Sequence, residues 1–213
     1  TDTIDICSSG DVGWISDSET DNDGDGCQDS GEDMDDDDDG IMDESDSCSA
    51  GSLGWIPDAG TDYDGDGCQD SGEDMDDDDD GVLDDSDYCA KGVLGWNSEP
   101  STDNDGDGCR DSNEDLDDDN DGRSDGLDAC QKSAGDSNID RDGCPDSDGD
   151  GWSDPDESWT VSDGADALVN EPTQWLDSDG DGFGDYELGA QFDSCTSEVG
   201  NSTVDVFGCP DGD

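Results

Sequence analysis

Histidine is absent from the 213 residues, and lysine and arginine together number five. The chain therefore lacks the side chain that most often serves as general base near neutral pH. No serine or cysteine has a base placed to activate it, so the sequence reads as a non-enzyme. Five cations against 69 acidic residues leave a formal charge of −64, which argues against nucleic acid as a partner because the phosphate backbone would be repelled. Apolar residues make up only 26% of the chain. No apolar run reaches the roughly eighteen residues needed to span a bilayer, so membrane insertion is not expected. A secretory leader pattern is also missing, and the chain reads as a mature fragment or a processed unit.

These shortages alone describe an acidic disordered segment, with too little apolar surface to offset the entropy of ordering the chain. What is present argues otherwise. Cys7, Cys48, Cys89 and Cys130 are each 41 residues apart, and Trp14, Trp55 and Trp96 share that interval. Repetition at this length indicates tandem units that contact mainly their neighbours. The expected organisation is a single array over 1–213. Its units run over about 1–47, 48–88, 89–129 and 130–157, followed by an insertion at 158–176 and a divergent unit at 177–213.

The ten cysteines suggest a covalent frame. Cys7 and Cys27, Cys48 and Cys68, and Cys89 and Cys109 are 20 residues apart, whereas Cys130 and Cys144, and Cys195 and Cys209, are 14 apart. Pairing these neighbours uses all ten; the shifted scheme, Cys27 with Cys48 and onward, would strand Cys7 and Cys209. The first scheme is preferred, although spacing alone does not prove connectivity. Each bridge would contribute about 3 kcal/mol in the chain-entropy model. This density of paired cysteine implies an extracellular or cell-surface location. A zinc site lacks close Cys-x-x-Cys spacing and any histidine.

The aspartates carry the chemistry. Asp21, Asp23, Asp25, Gly26, Asp29 and Glu32 fall at positions 1, 3, 5, 6, 9 and 12 of a twelve-residue calcium loop, with the backbone carbonyl of Cys27 at position 7. Alternate carboxylates can converge on one ion, and glycine at position 6 permits the sharp turn. The pattern restarts at Asp35, Asp37, Asp39, Ile41, Asp43 and Asp46. The second unit repeats the pair as Asp62, Asp64, Asp66, Cys68, Asp70 and Glu73, then Asp76, Asp78, Asp80, Val82, Asp84 and Asp87. The third offers Asp103, Asp105, Asp107, Cys109, Asp111 and Glu114, then Asp117, Asp119, Asp121, Arg123, Asp125 and Asp128.

In the fourth unit a weaker loop, Asn138, Asp140, Asp142 and Asp146, overlaps a strong one at Asp146, Asp148, Asp150, Trp152, Asp154 and Glu157. The fifth provides Asp177, Asp179, Asp181, Phe183 and Asp185, with Leu188 where the last carboxylate belongs. Nine candidate loops in register, two of them imperfect, make chance an inadequate explanation. Magnesium fits poorly because it demands a tighter octahedron and keeps its waters.

Only Asp33 and Met34 separate the first two loops, and "SSGDVGWISDSET" ahead of them is rich in glycine and serine, so flanking helices of a helix-loop-helix hand do not fit. The stretches "DNDGDGCQDSGEDMDDDDDG", "DSDGDGWSD" and "DSDGDGFGD" resemble the thrombospondin type 3 repeats, and the resemblance covers nearly the whole chain. It is nearest to long arrays of these repeats in microbial surface proteins, which carry a stretch similar to "NEPTQWLDSDGDGFGD". The "GW" insertion between paired cysteines departs from the animal proteins. The resemblance implies an irregular, elongated fold stabilised by calcium and disulfides. It further implies an extracellular rod in which calcium replaces the hydrophobic core, serving as a surface stalk or filament subunit.

Fourteen carboxylates lie between Asp21 and Asp46. Two calcium ions leave ten of those charges, so Asp33, Asp36 and Asp38 are expected either to hold an additional ion or to form a solvated acidic face. Trp14, Trp55 and Trp96, with Ile15 and Ile56, are expected to pack on disulfides as miniature cores; an exposed ladder for glycans, in a calcium-dependent adhesive or carbohydrate-binding module, is the alternative. The insertion gathers Trp159, Val161, Leu168, Val169, Trp175 and Leu176, either as a packing node or as a contact with another chain. Asn201-Ser202-Thr203 is a glycosylation sequon. Asp2 and Asp5 match the closing half of a loop, and Asp211 and Asp213 an opening half. That leaves two possibilities, head-to-tail self-association into a filament through shared calcium or continuation of the array in cis.

Overall fold

The computed structural model describes residues 6–7, 9–10, 12–204 and 206–211. Among them the one regular element is a 3₁₀ turn at Asp43–Ser45. The sequence explains this scarcity. Aspartate, serine and asparagine side chains compete for nearby backbone N–H groups, glycine favours turns, and no stretch sustains the β-branched alternation of a strand. The fold is irregular and disulfide-rich.

The five disulfides join Cys7–Cys27, Cys48–Cys68, Cys89–Cys109, Cys130–Cys144 and Cys195–Cys209, with Cα atoms 5.0–5.1 Å apart. Backbone hydrogen bonds align the segments that they link. The residue before the first cysteine donates to the carbonyl two residues before the second: Ser47 N to Asp66 O (2.8 Å), Tyr88 N to Asp107 O (2.8 Å), Ala129 N to Asp142 O (2.9 Å) and Ser194 N to Phe207 O (3.0 Å).

The chain forms two compact halves, Thr1–Glu114 and Asp115–Asp213. Among the described residues, the buried apolar ones in the first half are Cys27, Cys68, Trp96 and Cys109, and in the second Cys144 and Ala165. Among the described residues more carboxylates than apolar side chains are buried, including Asp37, Asp78 and Asp80 in the first half and Asp166 and Asp193 in the second. The Arg110 guanidinium lies over Trp96, 5.8 Å from the ring centre. Only 8% of Trp96 is exposed, which makes it a poor platform for a sugar.

The aliphatic part of the expected miniature cores is corrected: Ile15 and Ile56 are 79% and 78% exposed. Each directly follows a half-buried tryptophan, Trp14 or Trp55.

The insertion packs within its own half. Trp175 stacks on Trp152 (centroids 5.7 Å apart) and leans on Tyr186 (4.9 Å). Gln174 is 1% exposed; its amide donates to the Tyr186 and Ala190 carbonyls and accepts from Tyr186 N.

Glycine is required at two kinds of turn. Gly81 has φ 96° with open space around an added Cβ, whereas Gly67 has φ 95° and its Cβ would stand 2.1 Å from Asp46 Oδ1. Gly81→Ala is expected to cost about 1–2 kcal/mol, the strain of a left-handed backbone. Gly67→Ala should cost more because it also displaces Asp46, and equilibrium unfolding at fixed cation concentration measures both.

Candidate metal centres

The loop at 76–87 shows how the backbone arms these carboxylates. Asp76 Oδ2 accepts from Gly81 N (3.1 Å), Asp78 Oδ2 from Gly92 N (2.7 Å), Asp80 Oδ1 from Val82 N (2.8 Å) and Asp87 Oδ1 from Cys89 N (2.5 Å). Asp84 anchors the loop's far side, accepting from Asp77 N (3.0 Å) while its own N–H donates to Met75 O (2.9 Å). In each of Asp76, Asp78, Asp80 and Asp87 the other oxygen is buried without a hydrogen-bond partner. A buried carboxylate oxygen without a donor is costly unless a cation meets it. Burial, reinforced by neighbouring carboxylates, pushes Asp80 and Asp87 up to about 6 and raises Asp76 and Asp78.

The arrangement recurs. In 35–46, oxygens of Asp35, Asp37 and Asp39 lie within 4.8 Å of one another, and Asp35, Asp39 and Asp46 each keep a buried oxygen without a partner. Ile41 N donates to Asp39 (2.7 Å), Asp36 N to Asp43 (3.0 Å) and Cys48 N to Asp46 (2.7 Å). In 117–128, Gly122 N donates to Asp117 (3.0 Å), Asp121 N to Asp119 (3.3 Å), Arg123 N to Asp121 (2.7 Å), Asp118 N to Asp125 (3.0 Å) and Cys130 N to Asp128 (2.6 Å).

Among the first loops, Asp21, Asp23 and Asp25 form one close group and Asp62, Asp64 and Asp66 another. Burial pushes Asp23 and Asp64 up to about 6. Cys27 N donates to Asp25, Cys68 N to Asp66 and Cys109 N to Asp107. Position 9 is held by Asn22 N on Asp29, Tyr63 N on Asp70 and Asn104 N on Asp111. Gln28 N reaches Glu32, and Gln69 N reaches Glu73. In 103–114, Gly108 N donates to Asp103 and Asp107 N to Asp105, and Glu114 Oε2 is buried without a partner. The cysteine sulfurs are oxidised in disulfides, leaving position 7 only its backbone groups.

Three loops depart from the twelve-residue template. In the weak loop from Asn138 the carboxylates of Asp140 and Asp142 already have partners within the protein. Asp140 accepts from Ser153 N (2.8 Å), Ser153 Oγ (2.7 Å) and Trp159 Nε1 (3.0 Å). Burial pushes Asp140 up, but these hydrogen bonds outweigh it and hold the carboxyl below its ordinary value. Asp142 pairs with Arg123 (2.8 Å), and Asn138 turns its amide to the Asp136 carbonyl.

In the strong loop Gly151 N ties Asp146, Ser147 N ties Asp154 and Trp152 N ties Asp150, and Asp148 and Asp150 each keep a bare buried oxygen. Glu157, however, is exposed. Its place falls to Asp166 of the insertion, 1% exposed, with Oδ1 on Leu168 N (2.7 Å) and Oδ2 buried without a partner. Burial, then Asp150 and Asp148, push Asp166 up to about 6.

In the fifth loop Gly182 N ties Asp177, Asp181 N ties Asp179, Phe183 N ties Asp181 and Ser178 Oγ ties Asp185. Leu188 is 82% exposed, and the missing carboxylate is Asp193. It is fully buried, with Oδ1 on Cys195 N (2.7 Å), Oδ2 without a partner and Asp181 and Asp185 as neighbours. Asp46, Asp87, Asp128 and Asp193 all stand two residues before a cysteine, a signal that locates Asp193. Asp166 has no such marker.

Asp38 is exposed at a loop tip with φ 53°, as are Asp79 (52°) and Asn120 (56°) at the same point of later loops. Asp38 thus occupies the turn of its loop, with its side chain toward solvent. Asn201 is exposed, its N–H on the Cys209 carbonyl (3.2 Å). Asp2, Asp5 and Asp213 lie outside the described residues, and Asp211 is exposed.

No family model and none of the curated proteins matches the chain. Among the described residues no helix is long and apolar enough to cross a membrane, and five disulfides are typical of secreted or extracellular proteins.

Asp166→Asn is expected to weaken divalent-cation binding about tenfold at the 146–157 loop by removing a ligand charge, whereas Glu157→Gln should change it less than ~2-fold; calorimetric titration distinguishes them. A pH dependence follows from Asp37, Asp80 and Asp87, which burial raises from 3.8 to about 6. The cation-free fold binds protons more tightly than the unfolded chain, so this stabilisation is full below about pH 4 and lost as pH rises through about 6. Scattering in chelator should show a more compact chain at about pH 4.5 than at about pH 7.5.

Proposed function

We propose that the chain is an extracellular calcium-binding structural protein whose tandem loops fold around calcium in place of a hydrophobic core, as a rigid stalk or filament element. The observation that carries this reading is the recurrent carboxylate with one oxygen tied to a backbone N–H and the other buried without a donor, as at Asp76, Asp80 and Asp87. Clusters of three or more such oxygens suit a hard cation with six to eight ligands better than one needing nitrogen or sulfur. The resemblance to thrombospondin type 3 repeats supports the same assignment. Binding and scaffolding, not catalysis, is the role that this chemistry serves.

Titrating calcium into the chelated protein tests it. Scattering should show collapse from an expanded chain, whose radius of gyration for this length is about 50 Å when unfolded. The collapse is expected over roughly 0.1–1 mM calcium, the range of extracellular modules. A chain indifferent to calcium would overturn the reading.

A further inference from the structure

A separate carboxylate group lies between the two loops of the first repeat. Oxygens of Asp29, Asp33 and Asp36 come within 4.8 Å of one another. Asp33 Oδ1 accepts from Met34 N (2.8 Å) and Asp35 N (3.2 Å), and Asp29 Oδ1 from Asn22 N (3.2 Å). Asp33 Oδ2 and Asp36 Oδ1 are buried and have no partner.

The next repeat shows what this place accepts. Asp70 and Asp77, 41 residues after Asp29 and Asp36, hold the Lys91 ammonium, which bonds Asp70 Oδ2 and lies 3.4 Å from Asp77 Oδ2. Those side chains are only 6% and 9% exposed. In the third repeat Lys132 Nζ lies 3.6 Å from Asp118 Oδ2, the counterpart of Asp77. Both lysines stand two residues after a cysteine, Cys89 and Cys130; after Cys48 that position is Ala50. The remaining cations are engaged elsewhere: Arg110 on Trp96, Arg123 on Asp142 and Arg141 on Asp156. The fold places a cation at this point, and the first repeat has no side chain to supply it.

We propose that Asp29, Asp33 and Asp36 bind a divalent cation of their own, additional to those of the flanking loops, and that Lys91 takes that ion's place in the second repeat. The inference rests on the calcium reading of the loops. Three carboxylates offer only hard oxygen donors, which favours calcium over softer metals, and a lysine ammonium competes for the same oxygens with one charge instead of two.

Native mass spectrometry of the intact, calcium-loaded chain counts the ions. Ala50→Lys should bind one ion fewer than the wild type, Lys91→Ala one more, and Ala50→Gln, long but uncharged, the wild-type number. Ala50 is exposed, so either side chain can be accommodated. An unchanged count in Ala50→Lys or Lys91→Ala, or an ion lost in Ala50→Gln, would overturn the inference while leaving the loops intact. A wild-type chain that takes up no calcium would overturn both readings.

Discussion

Repulsion between carboxylates held a few ångströms apart governs this molecule. Two like charges 4 Å apart cost about 4 kcal/mol at the effective dielectric typical near protein surfaces, so a cluster of three such as Asp35, Asp37 and Asp39 stores on the order of 10 kcal/mol. A disulfide closing a loop of this size returns about 3 kcal/mol. Covalent cross-links therefore set which segments are neighbours, but they do not offset the charge. Protonation is one outlet, visible in the carboxyls that burial pushes up to about 6; on the calcium reading a bound cation would be the other.

The backbone does the positioning. Each aspartate at position 5 accepts the N–H two residues on, and each at position 9 accepts the N–H seven residues back wherever that bond forms, as in Asp80 with Val82 and Asp84 with Asp77. One oxygen is thereby fixed and the other aimed. Preorganisation of this kind lowers the entropy lost on binding, and it is achieved without helix or strand because aspartate itself supplies the acceptors that a regular element would have provided.

Much of this was legible in the sequence because the spacing of aspartate and glycine is the local structure. The loops of the first three repeats, the neighbouring cysteine pairs and the scarcity of regular elements all follow from short-range pattern. What escaped were contacts between residues far apart in sequence or set by packing. Asp166 comes from an insertion of no fixed register, and Asp140 is satisfied by Trp159, 19 residues away. Ile15 and Ile56 are aliphatic, which favours burial, yet each directly follows a half-buried tryptophan and is exposed. Asp193 lay between: its place before Cys195 marked it, but the twelve-residue template pointed to Leu188.

The distribution of positive charge fits this division. All five basic residues fall between Lys91 and Arg141, and none occurs in the first 90 positions. They meet carboxylates of both kinds: Lys91 lies between Asp70 and Asp77 of regular loops and Lys132 near Asp118 of another, whereas Arg123 sits on Asp142 of the weak loop and Arg141 on Asp156 beside the exposed Glu157. In the first repeat the template is intact and the sequence supplies no cation of its own; from the second repeat onward an ammonium, a guanidinium or the Trp159 N–H reaches some of the carboxylates. The first repeat thus contains no lysine or arginine to meet its carboxylates, and on the calcium reading its order would depend on an ion from outside.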